Sequence, residues 1–143
     1  MKIKPLILEE IQITHTNYYV DLHLESNITF IAGDSGTGKS AVFSFIEEYA
    51  SEHKNLRCFN YLDHSKSYKK SIKQLKQKLI VIDNADLLLD DKMRQYIALD
   101  TENQYIIIGR NPGGLMLLKD EINELISENK DGITVFSLRK LFA

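Results

Sequence analysis

A single cysteine, Cys58, in 143 residues rules out a disulfide framework and a thiolate metal site. One lone thiol suits a reducing compartment. Tryptophan is absent, prolines number two and glycines seven, and no Pro/Gly-rich linker, repeat or low-complexity tract breaks the chain. A single domain over residues 1–143 is therefore expected, long enough to bury a core. Neither sign of charge dominates: 18 Lys and Arg stand against 20 Asp and Glu, for a net −2. That balance argues against a globally basic nucleic-acid binder. No segment approaches the ~20 apolar residues of a membrane helix. The opening MKIKPLILEE lacks the apolar core of a signal peptide, so a cytoplasmic protein with no membrane partner is expected. The four histidines, 15, 23, 53 and 64, show no ligand spacing.

What is present is an alternation of short apolar runs with helical patterns. Leu6–His15 and Tyr18–Leu24 alternate around Ile11, Ile13, Val20, Leu22 and Leu24, with a Thr16-Asn17 break that predicts an antiparallel pair. Ile28–Ala32 reads as a buried strand, and Lys39–Glu52 as a helix with Val42, Phe45, Ile46 and Tyr49 at helical spacing. Leu56–Leu62 is a weaker strand and Ser65–Lys76 a helix. Leu79–Asp83 and Gln104–Gly109 are the strongest buried strands, with a helix at Asp90–Leu99 between them. Leu115–Glu128 carries Leu118, Ile122, Leu125 and Ile126 and predicts a helix, with a last strand at Ile133–Phe136. The expected fold is α/β: a three-layer sandwich with a mostly parallel central sheet and an N-terminal antiparallel hairpin.

The segment Gly33-Asp34-Ser35-Gly36-Thr37-Gly38-Lys39-Ser40 fits G-x-x-x-x-G-K-[ST] between a strand and a helix. Glycines at 33, 36 and 38 allow successive N–H groups to turn inward around an anion. The helix start adds its own donors. Lys39 supplies a point charge for the β- and γ-phosphates, and Ser40 a hydroxyl for Mg²⁺. The alternative is a Gly-rich turn that matches by accident, which the flanking strand and helix oppose. A magnesium phosphate site also wants a carboxylate at the end of a buried strand, and Leu79-Ile80-Val81-Ile82-Asp83 offers Asp83.

With these two motifs the chain resembles the P-loop NTPases of the additional-strand type, with Walker A at Gly33–Ser40 and Walker B ending in Asp83. The resemblance implies ATP and Mg²⁺ as cofactors, an intervening strand assigned to Leu56–Leu62, and hydrolysis of the β–γ anhydride. In many such ATPases a glutamate follows the metal-associated aspartate and polarises the attacking water. Asn84 stands there in this chain, and an amide is no general base. Asp86 is the candidate substitute, a surface or capping role being its alternative. Asn111 or Arg110, after the Gln104–Gly109 strand, falls where a polar sensor of the γ-phosphate is often placed; the alternative there is a turn built by Gly109, Asn111, Pro112, Gly113 and Gly114. Arg139 is a weaker candidate for reaching phosphate. The candidate catalytic set is Lys39, Asn84, Asp86 and Asn111, and the metal set Ser40 and Asp83. The N-terminal layout looks most like ABC-type and RecF/SMC-like heads, but no LSGGQ-like signature, D-loop, switch histidine or AAA-type lid is found, and the subfamily stays open.

Three functions are consistent with these residues. The first is an ATP-binding protein with Mg-dependent, slow or partner-stimulated hydrolysis. The second is a non-hydrolysing nucleotide switch or interaction module. The third is a small-molecule or nucleotide kinase, which the scarcity of arginine and the missing lid disfavour. ATP is preferred over GTP only because an N-K-x-D motif is absent. A protein partner or self-association would supply what a minimal core lacks. Lys66, Lys69, Lys70, Lys73, Lys76 and Lys78 crowd one stretch and could meet nucleic-acid phosphates; the net negative charge and the lack of interleaved aromatics favour a solvated helix face.

Overall fold

The computed structural model describes residues 4–33, 38–63 and 67–142. Among these residues eight strands join in one sheet of order β1-β2-β8-β7-β3-β6-β5-β4. In chain order they are β1 (Glu10–His15), β2 (Tyr18–His23), β3 (Ile28–Ala32), β4 (Leu56–Phe59), β5 (Leu79–Ile82), β6 (Gln104–Ile108), β7 (Ile122–Lys130) and β8 (Ile133–Lys140). The helices are α1 (Lys39–Ala50), α2 (Tyr68–Gln74), α3 (Ala85–Leu88) and α4 (Asp91–Leu99). β1–β2 and β7–β8 are antiparallel hairpins, while β2 runs parallel to β8. β7, β3, β6, β5 and β4 are parallel to one another in that order.

The expected three-layer sandwich is corrected by this arrangement. The sheet is the dominant element, mixed in direction, and it curls into a half-barrel with the four helices of the described residues against it. One helix demonstrates the curl. α1 touches both edge strands, β1 and β4. Flat, eight strands would place their edges about 34 Å apart at ~4.8 Å per step. A 12-residue helix is only about 18 Å long and ~10 Å across, so the edges must bend toward it.

A second correction explains where the extra strands come from. The Leu115–Glu128 segment is not a helix: a 3₁₀ turn at Lys119–Glu121 leads into β7. Its apolar residues divide between the two faces of the strand, Leu125 joining the core under α1 and Ile122 packing against the other core. Asn123 and Leu125 point inward along the strand, and Leu118, a core residue of the helical reading, is 68% exposed. Asn129 and Gly132 then close a tight hairpin, with the Gly132 N–H donating to Asn129 Oδ1 at 3.2 Å. The strand expected at Ile133–Phe136 extends to Lys140 along β7.

Two cores result, one on each face. Val42, Phe43 and Ile46 of α1 pack with Ile31, Val81, Ile106 and Ile108 of the parallel strands and with Ile11, Ile13, Val20 and Leu22 of the hairpin. Tyr68 and Ile72 of α2, Leu88 of α3, and Met93 and Ile97 of α4 cover Phe30, Ile80, Ile82, Tyr105 and Ile107 on the other face. The alternating inward set of the N-terminal hairpin and the apolar runs of β3, β5 and β6 account for both. At the N-terminal ends of the parallel strands a polar lattice closes the sheet. Gln104 pairs with both backbone groups of Leu8, at 2.8 and 2.9 Å, and the Tyr105 hydroxyl donates to Asp100 Oδ2 at 2.6 Å. The candidate site lies at the opposite end. Among the described residues, no helix is long and apolar enough to cross a membrane.

Candidate functional site

β3 ends at Ala32, and the chain returns as α1 from Lys39. Of the phosphate-loop candidates, Asp34, Ser35, Gly36 and Thr37 lie outside the described residues, whereas Gly33, Gly38, Lys39 and Ser40 are within them. Gly38 sits at φ 95°, ψ 5°, a backbone state that a side chain resists, and its carbonyl accepts the Val42 N–H at 2.9 Å. The Lys39 ammonium donates to the Gly33 carbonyl and so bridges the two ends of the loop.

The strand next to β3 on the α4 side is β6, and β5 lies beyond it. This corrects the expected role of Leu56–Leu62: that segment holds β4, at the sheet edge, and the intervening strand is β6. The order nevertheless brings Asp83, just past β5, to the same end of the sheet as Lys39. Lys39, Ser40, Asp83, Asn84, Asp86, Leu87, Ile108, Gly109 and Arg110 line one cleft of about 440 Å³.

Asp83 is 8% exposed. Burial raises its carboxyl above the ordinary carboxylate range, and the Asn84 backbone N–H and the Lys39 charge pull partly the other way. Asn84 adopts the left-handed region at φ 51°, ψ 45°, which asparagine tolerates better than most side chains, and starts α3. Its amide nitrogen lies 3.5 Å from Asp83 Oδ2, too long for a firm bond.

Asp86 has a structural occupation. Its Oδ2 accepts the Arg110 N–H at 2.7 Å and its Oδ1 the Asn111 N–H at 3.0 Å, while Arg94 Nη2 approaches Oδ1 at 3.4 Å. Arg94, 6% exposed, also donates through Nη1 to the carbonyls of Asn111 at 2.6 Å and Gly113 at 2.8 Å. Asp86 and Arg94 together bracket the loop after β6 from both sides of its backbone. Asn111 is turned into that loop: its Oδ1 accepts the Gly113 N–H at 2.9 Å. Arg110, exposed, is the side chain of this loop that lines the cleft. Arg139 lies outside the cleft lining and is paired with Glu124, its cross-strand neighbour, Nε to Oε1 being 2.6 Å.

The cleft's oxygen donors, the Asp83 carboxylate and the Ser40 hydroxyl, are hard ligands of the kind Mg²⁺ takes. Among the described residues no cluster of three His, Cys, Asp or Glu could hold a metal by itself. Such a donor set fits a magnesium ion carried in largely by a substrate's phosphates and fits a dedicated protein cage poorly.

The basic stretch is divided rather than continuous. α2 ends at Gln74, so Lys76 and Lys78 lie beyond it, and Lys66 lies outside the described residues. Lys69 is paired with Asp90, Lys73 stands 5.6 Å over the Tyr96 ring, and Lys78 donates to the Lys54 carbonyl at 2.6 Å.

Two contacts at the site have no local signal in the sequence: Arg94 against the 110–113 loop and Phe136 against Gly38. Both join segments far apart in the chain, and only the order of β6 and β8 in the sheet brings them together. No protein-family model, curated protein or solved structure matches the chain.

Proposed function

We propose that the cleft binds a nucleoside triphosphate with Mg²⁺, ATP being the default base, as in the P-loop NTPases that the loop sequence resembles. The observation that carries this reading is the convergence of Lys39, Ser40 and Asp83 on one cleft from two strands that are not neighbours. Lys39 would hold β- and γ-phosphate oxygens in place of its present partner, the Gly33 carbonyl. Ser40 and Asp83 would hold the ion, which supplies charge neutralisation across the phosphates when bound.

Hydrolysis by the chain alone is slow in this reading. Asn84 offers an amide where a base would be required, and the Asp86 carboxylate is engaged by two backbone N–H groups and Arg94. Arg110 at the cleft wall is a cation able to face the γ-phosphate. Stabilisation of phosphoryl transfer is mainly electrostatic, so a partner that adds a cation would speed turnover most. The engagement of Asp86 favours a second reading too, a switch that binds and releases nucleotide without cleaving it.

Thermal melting with and without Mg-ATP tests the binding claim. Ligand at about 100 times its Kd should stabilise the protein by roughly 2.7 kcal/mol. Lys39→Ala should remove that increment, and a wild-type melting point indifferent to every triphosphate would sink the proposal. Phosphate release measured over hours, alone and with candidate partners, separates the slow enzyme from the switch.

A further inference from the structure

The lysine stretch that the phosphate chemistry leaves unused frames a groove on the sheet face opposite α1. α2 and α4 lie side by side there and run in the same direction. Lys69, in the first turn of α2, pairs with Asp90 at the cap of α4, and Lys73, one turn on, stands 5.6 Å over the Tyr96 ring. Lys73, Lys76, Lys92, Gln95, Tyr96 and Leu99 line the groove, which measures about 560 Å³. It reaches the turn at 100–102 that leads into β6, so it opens at the end of the parallel strands away from the phosphate cleft. Lys69 is neutralised by Asp90, whereas Lys73, Lys76 and Lys92 form no ion pair among the described residues. Of the two carboxylates in the lining, Asp100 is spent inward. Its Oδ1 accepts the Glu102 N–H at 2.8 Å, and its Oδ2 accepts the Asn103 side-chain amide at 2.9 Å as well as the Tyr105 hydroxyl. That leaves Glu102 to set against three cations. Leu99 stands beside them at 59% exposure.

We propose that this groove receives an acidic segment of a partner protein, its carboxylates on Lys73, Lys76 and Lys92 and an apolar side chain on Leu99. The proposal stands apart from the nucleotide reading. Charge complementarity sets the sign of the partner, and Leu99 sets its class. A single nucleic-acid strand gains its sequence-tolerant affinity from bases stacked on aromatic faces. Tyr96 is the aromatic residue of the lining, and its ring packs against the core and carries Lys73 above it, so it is not a stacking surface. An exposed leucine is matched by an apolar side chain and offers nothing to a phosphate. Both walls are held from beneath, α2 by buried Ile72 and α4 by buried Met93 and Ile97, so docking orders little beyond the lysine side chains.

Fluorescence anisotropy with the full chain compares three labelled probes of equal net charge. They are a short Glu-rich peptide carrying leucines, the same peptide with alanine in place of leucine, and single-stranded oligothymidine. At about 0.1 M salt, where surface charges still act over ~10 Å, the leucine peptide should bind most tightly. Lys73→Gln, Lys76→Gln and Lys92→Gln combined should weaken it about tenfold, the order expected of three exposed ion pairs. Leu99→Ser should reduce the leucine peptide to the level of the alanine peptide. In wild type, the leucine peptide should shift the NMR amide signals of α4 and of residues 99–102 and leave Gly38 and Lys39 unmoved, a readout that needs no variant to fold. Oligothymidine bound as tightly as the leucine peptide would make the groove a nucleic-acid site. Groove amides that shift when the chain alone is concentrated would make a second copy its occupant. Either result overturns the proposal, as does a leucine peptide that fails to bind, that moves amides elsewhere, or that binds the triple variant like wild type.

Discussion

A β-carbon added to Gly38 would lie 2.6 Å from Cε1 of Phe136, closer than real side chains pack. The two residues are 98 positions apart in the chain, and they make the return of β8 part of the loop's own wall. Phe136 is buried between β2, β7 and α1, so its ring has little room to withdraw. Gly38 also carries a φ of 95°, which an L-residue adopts only under strain. Gly38→Ala therefore meets two penalties at once. The expected cost is about 1–3 kcal/mol. For a chain of this size that is a melting temperature lower by about 3–9 °C. Differential scanning calorimetry without nucleotide measures it, and an unchanged midpoint would show that the loop relaxes freely around the new methyl.

Arg94 makes a different kind of support, because its charge is buried and its partners are mostly backbone carbonyls. Removing it leaves the Asn111 and Gly113 carbonyls and the Asp86 carboxylate without their cation. Asp86 keeps its access to solvent, so the cost comes mainly from the two carbonyls that lose a charged donor, about 1–3 kcal/mol. Arg94→Met keeps the aliphatic packing and should still destabilise the chain within that range. Hydrogen exchange gives the sharper test: the Arg110 and Asn111 amides, now bonded to Asp86, should lose protection well before those of β6. Uniform loss of protection across β6 and the loop would mean that Arg94 serves global stability and not the cleft wall.

The start of α1 and the existence of β3, β5 and β6 were readable in the sequence for a physical reason. Each strand is a short, almost wholly buried run dominated by apolar residues, with Thr29 and Gln104 the polar exceptions, α1 is a helix with a clear period, and each sits beside a turn of glycine or aspartate. The β7 segment failed because Leu118, Ile122, Leu125 and Ile126 fit a helical stripe, whereas in the strand Leu125 and Ile122 serve opposite faces and leave no alternation to read. That single error hid the half-barrel, since β7 and β8 are what link the N-terminal hairpin to the parallel strands. In the site, Lys39, Ser40 and Asp83 were legible because their spacing is local. The work done by Asp86 was not, because its partners are Arg94 on another helix and two backbone amides beyond β6.

Cys58 lies on β4, half-buried against the α1 core, and its thiol is pushed up to about 12 from a usual 9.0 by burial and then by the Glu47 charge, with Arg57 opposing. Only the thiolate reacts with disulfide reagents, so a rise of about three units lowers the reactive fraction at pH 8 roughly a thousandfold. Folded protein should react with a chromogenic disulfide far more slowly than protein in guanidinium chloride, where the group regains its ordinary acidity. Fast reaction of the folded chain at pH 8 would place Cys58 in a wetter setting than β4 provides.

Asp83 should show opposite signs in stability and in function. Its folded carboxyl titrates above its unfolded value because burial disfavours the charge. The protonated form is the one that folding favours, so its stabilising contribution is full below the ordinary carboxylate range and lost as pH rises through the raised value. At neutral pH the ionised group is a burden on the unliganded chain. Asp83→Asn removes the charge while keeping an oxygen acceptor for the Asn84 N–H. The variant should melt higher than wild type at pH 7, with the difference closing as the buffer is taken down toward pH 4 and wild-type Asp83 is protonated. Yet the same variant should lose the extra stabilisation that Mg²⁺ adds to ATP, since an amide is a poor substitute for a carboxylate at a magnesium site. Wild-type protein should lose that increment too as pH falls through the raised value. Melting curves over pH 4–8, with ATP alone and with Mg-ATP, resolve the two effects. A variant that melts lower than wild type at neutral pH, or that keeps the magnesium increment, contradicts the assignment of Asp83 as a buried carboxylate held ready for the ion.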